Sequence, residues 1–256
     1  MQNYRAKSNI VLGFVAVIAL IAFFVVEQSK SDVKQEWYAE KLKAATLAQE
    51  AFDCLKENRL EKGVFIDVVN DPNQTALIGQ EYTEITTDRG YIDAKLSSLN
   101  PNMAAVVVQF LKDAEVKKND CVAVAFTGSF PAMNIAVMSA IEVLELNPVI
   151  ISSVGASNYG ANDPLFTWLD METVLMSKGI FSHKSIAASI GGGFDEGRGL
   201  SPEGRDLILD AILRNQVPLI HEGHLEKNIE KRMQVYQQQC NNKAIKAFIN
   251  VGGGIA

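Results

Sequence analysis

Chemistry-capable side chains in this sequence fall into five short, glycine-marked stretches. The first is Thr127-Gly128-Ser129-Phe130-Pro131, with Asn134 one turn further on; the second runs from Gly155 through Ser157, Asn158 and Tyr159 to Asn162. The third, Gly191–Gly199, holds Gly192, Asp195, Glu196 and Arg198; the fourth is His221-Glu222-Gly223-His224, and the last is Gly252–Gly254. Three readings are open for Ser129: a helix cap ahead of Pro131, an anion site shared with Gly128 and helix N–H groups, or a nucleophile. Ser129, Asp195 and His221 follow the chain order of an α/β-hydrolase triad, but Thr127 and Pro131 stand where a nucleophile elbow has glycine. Asn134, Ser157, Asn158 and Tyr159 are neutral hydrogen-bonding groups, while Asp195 could orient an amine or act as a base. Lys95 and Thr87, earlier in the chain, could close such a site over an acidic body. The Gly191–Gly199 loop lacks the Lys-Ser/Thr ending of a P-loop and does not fit G-x-G-x-x-G. His221 and His224 are three apart, which is not the spacing of a zinc helix. No metal and no cofactor is expected.

Every one of these stretches follows a short apolar or β-branched run. Cys121–Phe126, Pro148–Val154, Ser185–Ile190, Val217–Ile220 and Lys246–Val251 read as strands. Between them, Phe130–Leu146, Leu165–Gly179, Pro202–Asn215 and His224–Gln239 have helical periodicity. That alternation predicts an α/β fold: a mainly parallel sheet with helices on both faces, layered as in Rossmann-like proteins. Ligands of such sheets bind beyond the carboxyl ends of the strands, which is where the five stretches fall. Upstream, 31–62 reads as one helix, a stalk or packing helix, and Met103–Leu111 as another. Gly63–Val69 reads as a short strand, and Glu81–Thr87 alternates only weakly. The final strand has no helix after it, so the natural chain is expected to continue beyond Ala256.

Ile10–Val26 is 17 residues without a charge or a hydrogen-bonding side chain, just long enough to cross a bilayer. Arg5 and Lys7 precede it; Glu27, Lys30 and Asp32 follow. This pattern predicts a cytoplasmic tail (1–8), a signal anchor (9–27), a helical stalk (28–62) and an extracytoplasmic α/β domain (63–256), single-pass with the N-terminus inside. The formal charge is −6; residues 1–30 carry a net +2, leaving −8 on residues 31–256. An acidic body without a Lys/Arg block excludes nucleic acid as the main partner. With 48% apolar and 21% charged residues, the chain is too apolar for a disordered one. Three cysteines are too few for a disulfide scaffold. Cys121, in a central strand, is expected to be an inert buried thiol, whereas Cys54 and Cys240 could pair outside the cell.

Several segments occur in an order that resembles the poly-γ-glutamate system protein family. They are Ile78-Gly79-Gln80-Glu81, Thr86-Thr87-Asp88-Arg89-Gly90, Ala94-Lys95, Asn100-Pro101-Asn102, Gly128–Asn134, Ala156–Asn162 and Trp168–Glu172. The resemblance covers roughly residues 75–205 and the N-terminal anchor. It implies a membrane-anchored accessory of bacterial poly-γ-glutamate synthesis, working beside the synthase and export subunits at the cytoplasmic membrane and in reach of the polymer itself. It supplies no known reaction. The alternative is an extracytoplasmic hydrolase or transferase acting on γ-glutamyl bonds through a strand-end serine.

Overall fold

The computed structural model describes residues 9–31, 33–64, 66–241 and 243–252. They fall into two units, residues 1–38 and 39–256. The first contains α1 (Asn9–Gln28), whose stretch Val11–Gln28 is long and apolar enough to cross a membrane, with mean hydropathy 2.4 and none of it buried. Arg5 and Lys7 lie outside the described residues.

The second unit is α/β. Its elements are α2 (Tyr38–Glu61), which starts at the last residue of the first unit, α3 (Ile92–Ser98), α4 (Met103–Asp113), β1 (Cys121–Thr127), α5 (Pro131–Val143) and β2 (Asn147–Ser153). They continue with α6 (Trp168–Ser177), β3 (Ala187–Ser189), α7 (Pro202–Arg214), α8 (Leu225–Gln239) and β4 (Ala247–Asn250). The four strands form one parallel sheet in the order β3-β2-β1-β4, so β1 is internal. Alternate residues of β1 face two apolar layers, as a sheet covered on both sides requires. Val122, Val124 and Phe126 join a core built with α2, α4, α5 and α6; Cys121 and Ala123 face α8 through Tyr236 and Cys240. Within the first core, Phe126 meets the fully buried Trp168 edge to face at 5.6 Å. A pair of this kind adds about 0.5–1.5 kcal/mol beyond the area it buries.

Helix starts follow local chemistry. Pro131 and Pro202 open α5 and α7, the Ser201 hydroxyl accepts from the Gly204 N–H at 3.0 Å, and Thr167 and Asp170 close a capping box on α6.

Several expectations need correction. The segment Val217–Ile220 flanks β3 through a single bridge, Ala188 to Leu219. Pro218 offers no N–H to a ladder, so only its carbonyl and the Ile220 N–H bond to Ala188, both at 2.8 Å. The described part of 63–69 forms no strand: Asp67 instead accepts from the Val69 and Asn70 N–H groups and makes a turn. Glu81–Thr87 makes one bridge, Thr86 to Ala156. Within the expected 28–62 stalk, α1 ends at Gln28 and the next helix starts at Tyr38; its Ala44, Ala48, Ala51 and Leu55 are buried in the core, making α2 a packing helix.

The cysteine pairing also differs. Cys121 and Cys240 are disulfide-bonded, with Cα atoms 5.8 Å apart, and Cys54 is free. Cys121 and Cys240 share one face of the sheet, whereas Cys54 packs with the core on the other face. The sheet therefore separates Cys54 from Cys240.

Candidate functional site

The parallel register brings Thr127, Ser153 and Ser189 side by side at the carboxyl ends of β1, β2 and β3. Beyond this row of hydroxyls lies a cleft of about 440 Å³. Its lining includes Ser129, Ser157, Lys95, Arg89, Gly192 and Arg232.

One wall comes from the chain before the sheet. Residues 79–90 cross the loop after β2 through backbone bonds, among them Gly79 N–H to Tyr159 O (3.1 Å), Thr87 N–H to Ala156 O (2.8 Å) and Asn158 N–H to Asp88 O (3.1 Å). Side chains complete the seam. Asn158 donates to Glu81 O and accepts from the Gly90 N–H, and Asn162 donates to Gln80 O at 2.8 Å and Thr86 Oγ1 at 3.0 Å. Glycines permit the close approach: a Cβ at Gly79 would lie 1.9 Å from Gly160 O, and one at Gly90 would lie 2.6 Å from Asn158 O and 2.9 Å from Ser157 Oγ. The chain then turns into α3, which delivers Lys95 to the cleft.

Lys95 is only 2% exposed and forms no ion pair among the described residues. Its Nζ reaches the Ser129 carbonyl, the Ser157 hydroxyl at 2.9 Å and the Phe130 ring, 3.7 Å from the centroid. Burial without a compensating anion lowers the ammonium to about 8. The two serines are held together, since the Ser157 N–H donates to Ser129 Oγ at 3.0 Å and Thr127 Oγ1 donates to the same oxygen at 3.2 Å.

The floor on the other side is an ion-paired network. Arg232, on α8, donates to Asp195 Oδ2 at 2.8 Å, to Ser189 Oγ at 2.6 Å and to Ser153 Oγ at 3.1 Å. Ser189 Oγ in turn donates to Asp195 Oδ1 at 2.6 Å. Asp195 is fully buried, so its carboxylate supports the glycine loop from below instead of presenting an oxygen to the cleft.

The strand-end residues identified from sequence thus divide. Ser129, Ser157, Lys95, Thr87 and Gly192 line one concavity. Gly128 is buried, its N–H donating to Ser153 O and its carbonyl accepting from the Ala161 N–H. Asn134 is buried and donates to Thr127 O at 2.9 Å, while Asn158 ties down the 79–90 segment. Tyr159 contributes its backbone to that seam through the bond from its N–H to Gln80 O.

The Ser129–Asp195–His221 order does not become a triad. His221 lines a separate depression with Glu196, Arg205 and Asp206, and no hydrogen bond joins any two of the three among the described residues. Of the last stretch, Gly252 borders the cleft; Gly253 and Gly254 lie outside the described residues.

Sequence reasoning missed Arg232, Ser153 and Ser189. For Arg232 alone a signal existed, in the i, i+4 series Asn228, Arg232, Tyr236 that continues to Cys240 just past α8. Comparison of the chain with protein-family models, with curated proteins and with solved structures gives no match.

Proposed function

We propose that this protein is a membrane-anchored accessory of bacterial poly-γ-glutamate synthesis and export. In this reading α1 sits in the cytoplasmic membrane with its N-terminus inside, and the α/β unit works outside beside the synthase and export subunits. The strand-end cleft holds carboxylates of the γ-glutamyl chain.

The observation that carries the ligand class is Lys95. A buried ammonium surrounded by a carbonyl, a hydroxyl and a ring lacks an anion, and a ligand carboxylate would supply one. Arg89 and Asp88 also line the cleft, their charges offsetting, and the Ser129 and Ser157 hydroxyls add polar contacts. Lys95 thus leaves one uncompensated positive charge in a cleft of a body that is otherwise net negative, so an acidic polymer is engaged at one narrow site and not along the surface. The resemblance of the segment order to the poly-γ-glutamate system proteins supports the polymer. The Cys121–Cys240 disulfide supports the exported side, because such bonds persist in oxidising compartments.

Calorimetry on the full-length protein in nanodiscs tests this reading. Short γ-linked glutamate oligomers should bind, α-linked oligomers of equal charge should bind less well, and Lys95→Met should weaken the γ-linked ligand about tenfold or more, the scale of one charged hydrogen bond. Equal affinity for both linkages, or no binding of either, would refute the ligand assignment. A reporter fused after Ala256 should be active only outside the cytoplasm.

A further inference from the structure

The three neighbours of Lys95 Nζ are chemically unequal. A backbone carbonyl and a ring face can only accept a hydrogen bond, whereas the Ser157 hydroxyl can accept or donate. A neutral amine has two N–H donors and one lone pair. With the donors on the Ser129 carbonyl and the Phe130 ring, the lone pair is left for the Ser157 O–H. The 2.9 Å separation is within the reach required of a general base and its nucleophile. Among the described residues no carboxylate pairs with the amine, and burial lowers it to about 8, so the neutral form grows as pH rises through that value.

The serine is equally constrained. Its N–H is fixed on Ser129 Oγ, its carbonyl accepts from the Gly160 N–H at 3.0 Å, and its hydroxyl faces the cleft wall that Gly90 keeps open.

We infer that Ser157 is an acyl-accepting nucleophile with Lys95 as its general base, acting on an amide bond. The naming of that amide as the γ-glutamyl linkage rests on the function proposed above; the serine–lysine pair itself does not.

In the first half-reaction Ser157 Oγ attacks the amide carbon as its proton passes to the Lys95 lone pair, and the carbonyl π pair moves to oxygen. The Lys95 ammonium so formed stands beside the oxyanion. Collapse restores the carbonyl and breaks the C–N bond, and the ammonium returns the proton to the leaving amine. Water, or the amine of another chain end, then attacks the Ser157 ester. Lys95 takes the proton from that attacking group and delivers it to the departing Ser157 oxygen. Hydrolysis or transfer is complete with no oxidant, reductant or metal consumed.

The test uses full-length protein in detergent, a fluorophosphonate probe and mapping of the adduct by peptide mass spectrometry. A single adduct on Ser157 is expected, forming at a rate that rises with pH through about 8. Lys95→Arg keeps a cation and its donors but cannot act as a base, and should slow labelling about 10²-fold or more. Native-like fluorescence of the buried Trp168 in that variant shows that the fold is retained. Labelling of Ser129 in place of Ser157, no adduct between about pH 6 and 10, or a rate indifferent to Lys95→Arg overturns the inference. Release of nitroaniline from γ-glutamyl-p-nitroanilide separates the two claims. Ser157 labelling without release leaves the pair standing and removes the γ-glutamyl substrate. Binding of γ-linked oligomers with no Ser157 adduct does the reverse.

Discussion

Two buried cations flank the same cleft and are treated in opposite ways. Arg232 is 7% exposed and faces a fully buried carboxylate, Asp195, and it also donates to Ser153 and Ser189. Lys95 is 2% exposed and faces groups that carry no charge. The helix that bears Arg232 is tied to β1 at its far end by the Cys121–Cys240 bond, whereas Lys95 stands on a helix of seven residues. A charge with a buried partner fixes an arrangement, because losing either member strands the other in a low-dielectric interior. A charge without a partner stabilises little and has a shifted proton affinity, which is the property a binding or catalytic group needs. On this view the arginine side is scaffold and the lysine side is the working surface.

The largest effect that would break the contrast is expected from Arg232→Met. It leaves Asp195 buried and unpaired, and should cost about 3–5 kcal/mol in denaturant unfolding followed by Trp168 fluorescence. The double variant Arg232→Met/Asp195→Leu should recover most of that loss, since neither charge is then stranded. If the double variant is as unstable as the single one, the pair is not what holds the glycine loop.

A third buried charge sharpens the comparison. Glu172 is 3% exposed, accepts from the Ser185 N–H at 3.2 Å and its hydroxyl at 2.9 Å, and forms no ion pair among the described residues. Burial raises its carboxyl to about 7 from 4.5. A raised folded-state value means that the folded form binds the proton more tightly than the unfolded one. The stabilisation is therefore complete below pH 4.5 and is lost as pH rises through about 7. The shift corresponds to roughly 3 kcal/mol between those limits. Glu172→Gln should flatten that part of the stability profile.

The smallest change is expected from Lys95→Met. Two hydrogen bonds disappear together with an uncompensated charge, so stability at neutral pH should move by no more than about 1 kcal/mol. A loss as large as that of Arg232→Met would make Lys95 scaffold as well.

Much of this was legible in the sequence where burial alone decides. Runs such as Val-Ala-Val-Ala-Phe in β1 are apolar on both faces because both are covered, and α5 and α7 start at prolines. The Ser129 and Ser157 loops meet because parallel strands end together. What escaped depended on partners distant in sequence. On α8 the apolar Ile229 and Met233 are more than 40% exposed while Asn228 and Arg232 are buried, so periodicity of apolar residues points to the wrong face. Arg232 is inside only because Asp195 is there to meet it. The cysteine pairing likewise depends on which face of the sheet each thiol occupies. Ser157 was recognisable as a polar residue at a strand end and Lys95 as one from the segment before the sheet, but their 2.9 Å contact is a product of the 79–90 crossing and of Gly90 within it.

Lys95 is a cation without an anion among the described residues, and its proton affinity measures that directly. Heteronuclear NMR of full-length protein labelled with 15N-lysine in micelles, with Lys95→Met to assign the signal, follows the titration of Nζ. The predicted midpoint is about 8; a midpoint at the ordinary value of 10.5 would show that Lys95 is compensated or solvated and would contradict the account.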